Sequence, residues 1–137
     1  RKIDLIFSKT RLAPNKTITI PRLELLAALI GSRSLKFVQN ELMLDISEKH
    51  TWIDSQCVLN WLNSKRTLGT FVENRIKEVK KDRDVNFHYI STTENPADIA
   101  SRGASVREIY NNKLWWHGPD WMARTREALA GLEVRRY

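Results

Sequence analysis

Apolar and polar residues change rhythm several times along the chain, and each change marks an element. Ile3 to Ser8 (Ile, Asp, Leu, Ile, Phe, Ser) predicts a short, partly buried strand. Residues 11–16 contain Pro14 and Asn15 and predict a loop, and Thr17 to Ile20 is β-rich enough to continue pairing. Pro21 then opens a helix, where its missing N–H costs nothing. Leu23, Leu26, Ala27 and Ile30 keep helical spacing, and Phe37 and Val38 extend the stripe. Leu25, Ala28 and Leu29 broaden it, so this helix is expected to be buried on most sides and to end between Phe37 and Leu44.

Thr51-Trp52-Ile53-Asp54 predicts a strand running directly into a helix, which Asp54 or Ser55 can cap and whose apolar face is Val58, Leu59, Trp61 and Leu62. After a polar turn at Asn63 to Thr67, Leu68, Val72, Ile76 and Val79 mark an amphipathic helix with a charged outer side. Val85, Phe87 and Tyr89 alternate with Asn86 and His88, a half-buried strand. Following a loop at Ser91 to Glu94, Asn95 caps a short helix, Pro96 takes its first position, and Gly103 ends it.

Strands alternating with helices argue for an α/β sheet with helices packed on it. From Ser105 the pattern loosens, and residues 114–121 carry three tryptophans, read as an aromatic plug over an edge of the core in preference to a base-stacking surface. Arg124 to Tyr137 reads as a helix or a frayed tail. The expected division is therefore a domain over residues 1–104 and a Trp-rich extension over 105–137.

The length of 137 residues suits one ordinary domain, and 42% hydrophobic residues can build a core. No apolar run approaches the roughly 18 residues of a membrane span, and no secretory leader is visible, so an intracellular setting (a cytoplasmic particle or the nucleus) is expected. Cys57 has no second cysteine to pair with, and zinc is not expected, because His50, His88 and His117 show no ligand pairing with it. The formal charge of +7 favours polyanionic partners, nucleic acid first among them.

Three carboxylates qualify the picture. Glu24 is the only charge between Leu23 and Ile30, and an acid in an apolar run is costly without a partner, although a first-turn position would let the helix dipole accept it. Asp54 ends a strand and precedes a helix, where ligands gather in α/β sheets and where N-caps also fall. Asp98 lies three residues after Asn95, compatible with a site or with a role like a capping box. If the three met at ~4 Å spacings with no cation, each pair would repel by roughly 4 kcal/mol at an effective dielectric of 20. Such a cluster takes up protons or binds a cation, and oxygen ligands alone suit Mg²⁺ or Mn²⁺. Two such ions are the common device for in-line attack on a phosphodiester.

These residues also sit in recognisable surroundings. Residues 20–25 (Ile-Pro-Arg-Leu-Glu-Leu), 52–55 (Trp-Ile-Asp-Ser), 94–103 (Glu-Asn-Pro-Ala-Asp-Ile-Ala-Ser-Arg-Gly) and 114–119 (Leu-Trp-Trp-His-Gly-Pro) occur in that order. Together with Ser8-Lys9 through Ala13-Pro14, they resemble the ribonuclease H-like region of BEL/Pao long-terminal-repeat retrotransposon polyproteins. The resemblance covers roughly Ile3 to Trp121. It implies a mixed five-stranded sheet with flanking helices, two Mg²⁺ ions, and hydrolysis of RNA in RNA–DNA hybrids. Glu24, Asp54 and Asp98 would be three of its four catalytic, metal-binding acids. Arg22, Ser55, Asn95 and Arg102 lie beside them and would contact phosphates, and the reverse transcriptase and integrase regions of the same polyprotein would be partners.

The first aspartate of that set belongs to a first strand. The resemblance puts this strand and the next before Arg1, which leaves a truncated domain expected to be inactive alone. Asp4 falls on what resembles the third strand and does not take the missing role. The loop at Tyr89 to Thr93 also lacks the histidine found in many ribonucleases H. A competing expectation is a non-catalytic nucleic-acid-binding remnant with the same acids and basic surface. An aspartic peptidase would need paired aspartates in Asp-Thr/Ser-Gly turns, whereas Asp54-Ser55 runs into Gln56.

Overall fold

A computed structural model describes residues 2–43, 45–46 and 48–124. The chain forms two compact units, one over residues 11–89 and one from residues 1–10 with 90–137.

The unit over residues 11–89 contains α1 (Ile20–Leu42), β1 (Lys49–Ile53), α2 (Gln56–Asn63), α3 (Thr70–Val79) and β2 (Val85–Tyr89). The long helix begins where the sequence predicts, with Pro21 in its first turn, and ends at Met43 in a left-handed conformation. Its stripe buries Leu25 and Leu29, which join Ile53, Val58, Leu62, Val72 and Val79 in the core. Burial is narrower than the sequence implies, since Ile20 and Phe37 stay largely exposed. Strands β1 and β2 are parallel and pair in register from Lys49 with Val85 to Ile53 with Tyr89. A parallel pair needs a long crossover, and α2 and α3 supply it. Gly69 precedes α3 at φ 81°, a backbone state that side chains other than glycine's rarely adopt.

Lys49 opens β1 with its ammonium buried. It donates to Asp82, and lies 3.5 Å from the Gln39 amide oxygen. The Lys49 hydrogen bond is the main reason the Asp82 carboxyl titrates below the usual range.

The other unit holds α4 (Pro96–Arg102), α5 (Val106–Tyr110) and α6 (Lys113–His117), with single 3-10 turns at Thr92–Glu94 and Asp120–Ala123. Here two expectations need correction. Ile3 to Ser8 is not a strand, and Thr17 to Ile20 does not extend a sheet: Thr19 is the N-cap of α1 and Ile20 its first residue. A strand exists only through a ladder, and β1–β2 is the one ladder among the described residues. The Leu5 N–H donates instead to the Trp116 carbonyl at 2.8 Å, and the His117 ring nitrogen Nδ1 meets the Ile3 carbonyl at 3.0 Å. The described sheet thus has two parallel strands.

The region that looked loose after Ser105 is built from short capped helices. Ser105 and Glu108 form a reciprocal capping box on α5, and the Asn112 side chain accepts from the Trp115 N–H on α6. Tryptophan N–H groups fix the tail of this unit: Trp116 donates to the Ile109 carbonyl at 2.9 Å and Trp121 to Glu94 at 3.0 Å. Gly118 ends α6 at φ 66°, where an added Cβ would sit 3.3 Å from the Met122 sulfur. The helix or tail expected beyond Arg124 lies outside the described residues.

Candidate carboxylate site

Glu24 and Asp54 belong to the unit over residues 11–89, and Asp98 belongs to the other. Glu24 is half-buried and is the fifth residue of α1, whose first turn contains no acid. The first-turn expectation is therefore corrected: the dipole, which acts mainly within that turn, accounts for less of Glu24 than the sequence suggested.

Asp54 follows the last residue of β1, and it is half-buried. Ser55, not Asp54, is the N-cap of α2, with its hydroxyl accepting from the Val58 N–H at 3.4 Å. The cap is thus satisfied without the aspartate.

Asp98 is the third residue of α4, in the first turn. Its carboxylate pairs with Arg102 at 2.7 Å, one helical turn on, and Asn95 caps the helix through the Ala97 N–H at 3.1 Å. An acid in a first turn and an opposite charge one turn on both stabilise a helix.

The four residues expected to contact phosphates all have local partners. Ser55 and Asn95 cap their helices, and Arg102 pairs with Asp98. Arg22 is exposed on α1, and its guanidinium carbon lies 5.0 Å from the centroid of the Phe71 ring, which also carries Arg75 at 3.6 Å. Arg75 also donates to the Phe71 carbonyl at 2.9 Å, and cation–π contacts of this kind leave the charge of a guanidinium in place. Asp4 pairs with Lys2 at 3.0 Å and with His117 at 3.2 Å, and the Lys2 hydrogen bond lowers its pKa.

One cluster escaped the sequence reading. His50 and His88 are 38 residues apart, yet the register sets His50 opposite Asn86 and Trp52 opposite His88, so all four fall on one face of the strand pair. His50 Nδ1 and His88 Nε2 are 2.9 Å apart, and Trp52 stacks on His88 with ring centroids 5.3 Å apart. Equal strand parity at positions 50, 52, 86 and 88 was the available signal. It becomes informative only once the register is known.

Among the described residues, no three His, Cys, Asp or Glu side chains gather to hold a metal ion. Residues 1–55 match the family model for the Pao retrotransposon-like RNaseH-like domain, which supports the resemblance read from the sequence. The match spans Glu24 and Asp54 and stops short of Asp98. No curated protein and no solved structure matches the chain.

Proposed function

We propose that the chain is a ribonuclease H-like module of a BEL/Pao-type retroelement polyprotein. The complete domain hydrolyses RNA in RNA–DNA hybrids, and residues 105–137 form a Trp-rich extension beside reverse transcriptase and integrase regions. The observation that carries this reading is the family match over residues 1–55. It includes Glu24 inside the matched helix and Asp54 at the end of β1, where an α/β sheet presents ligand-binding groups. The net charge of +7 suits a polyanionic substrate. No described helix is long and apolar enough to cross a membrane.

In this reading Glu24, Asp54 and Asp98 supply carboxylates to two Mg²⁺ or Mn²⁺ ions, and Arg22, Ser55, Asn95 and Arg102 meet the backbone of the hybrid. Among the described residues, no three of these side chains gather as metal ligands. That same observation favours a second reading, in which the chain binds nucleic acid without cleaving it.

Hybrid cleavage in Mg²⁺ separates the two. A longer polyprotein segment carrying an upstream aspartate should cleave, while the 137-residue chain should not. Replacing Glu24, Asp54 or Asp98 with alanine should abolish cleavage in the longer segment. Cleavage that persists in the triple variant would remove the assignment. Binding that is salt-dependent but never accompanied by cleavage in either protein would support the second reading.

A further inference from the structure

We propose that His50 and His88 form a two-imidazole clip for a transition-metal ion of the Zn²⁺ or Co²⁺ kind, distinct from the carboxylates. The geometry starts with the strands. Parallel pairing sets the two side chains on one face, and Trp52 packs against both rings, with centroids 5.6 Å from His50 and 5.3 Å from His88. The nitrogens that face each other are 2.9 Å apart. Two metal–nitrogen bonds of about 2.0–2.1 Å at a tetrahedral angle place their nitrogens about 3.3 Å apart. An opening of roughly 0.4 Å, within reach of small side-chain rotations, converts the hydrogen-bonded pair into a chelating pair.

The hydrogen positions also suit a ligand pair. Glu48 lies 3.5 Å from His50 Nε2, which favours the hydrogen on that nitrogen and leaves the Nδ1 lone pair facing His88. His88 then donates from Nε2, and its Nδ1 is buried with no partner. Only the hydrogen bond to His50 Nδ1 holds His88 in that tautomer, and metal binding replaces that bond. On metal binding its hydrogen moves from Nε2 to Nδ1, with no net loss of a proton when both rings are neutral. His50 keeps 19% of its side chain exposed, so water can complete the coordination. With two protein ligands the site is open, and imidazole donors select against Mg²⁺.

The test is titration of the 137-residue chain with CoCl₂, followed by visible absorption, and with ZnCl₂, followed by calorimetry. One equivalent should bind, and 10 mM MgCl₂ should not displace it. His50→Gln and His88→Gln should each weaken binding by more than about tenfold, and Glu48→Ala by about tenfold through loss of the outer hydrogen bond. Circular dichroism of each variant checks that it is folded. If a histidine variant is not, paramagnetically shifted imidazole resonances of the Co²⁺-loaded parent count the ligands directly, and two rings are expected. Displacement by Mg²⁺, unchanged affinity in folded histidine variants, fewer than two shifted rings, or no binding at 1 mM ZnCl₂ would each overturn the proposal.

Discussion

Asp82→Asn should destabilise the unit over residues 11–89 far more than its partly exposed position suggests, because of what it does to Lys49. The Lys49 side chain is 9% exposed, and Asp82 is 32% exposed. Removing one member of a fully buried pair costs about 3–5 kcal/mol, because the remaining charge stays desolvated. A fully exposed pair is worth about 0–1 kcal/mol. With one member buried and the other a third exposed, the expected loss falls between, at about 2 kcal/mol. Lys49→Met removes the ammonium together with its desolvation cost and leaves only a carboxylate that can reach water, so it should cost under about 1 kcal/mol. The double variant should lie near Lys49→Met, and the cycle isolates the coupling. Urea unfolding read by tryptophan fluorescence measures this. With a slope of about 1.5 kcal/mol/M, the Asp82→Asn midpoint should fall by roughly 1.3 M at pH 7. The pH dependence has a definite sign. The Asp82 pKa is lowered in the folded state, so its contribution is present above the ordinary carboxyl value of about 3.9 and is lost as pH falls through the lowered one. The gap between the parent and Asp82→Asn should therefore close below about pH 4. A loss below 0.5 kcal/mol, or equal losses in the two single variants, would refute the reasoning.

Other perturbations test the packing and the caps. Leu25→Ala removes a fully buried side chain and should cost about 3 kcal/mol in the same assay, whereas Ile20→Ala, at a position 73% exposed, should stay within about 0.5 kcal/mol. Asn95→Ala removes the cap of α4 and should cost about 1 kcal/mol locally, seen as faster amide exchange in residues 97–102. His88 is held neutral by burial with a lowered pKa, so its contribution is present above about pH 6.5 and lost as pH falls through that value toward the folded one. His88→Gln should flatten that part of the stability profile, and an unchanged profile would count against burial of the ring.

What was legible in the sequence followed the range of the physics involved. Helices announce themselves locally: Pro21, the Leu25 and Leu29 stripe, and the Asn95–Pro96 start all appear where expected. The Ser105-x-x-Glu108 box was equally local. A five-residue helix displays hardly any apolar periodicity, so the box is the one local sign of α5. Strands depend on partners far away in sequence. Ile3 to Phe7 has an adequate apolar pattern, but its backbone bonds to the end of α6 rather than to a ladder. The His50–His88 pair depends on register across 38 residues, which neither histidine encodes alone.

The three carboxylates differ in how far local structure accounts for them, and that difference can be measured. Asp98 sits in a first turn and pairs with Arg102, so Asp98→Asn should weaken α4 by several tenths of a kcal/mol or more. Asp54 stands next to a helix that Ser55 already caps, and it is half-buried at the end of a strand inside the region matched to the Pao family. Nothing in the folding of α2 requires an acid at that position. Asp54→Asn should therefore leave the urea midpoint unchanged, within about 0.5 kcal/mol, while removing cleavage in the longer polyprotein segment. Stability lost by more than 1 kcal/mol in Asp54→Asn would show that the acid is structural. Unchanged stability with unchanged cleavage would show that it is neither structural nor catalytic. Only intact stability with lost cleavage fits a carboxylate retained for chemistry, and Asp54 is the position where that outcome is least confounded by the fold.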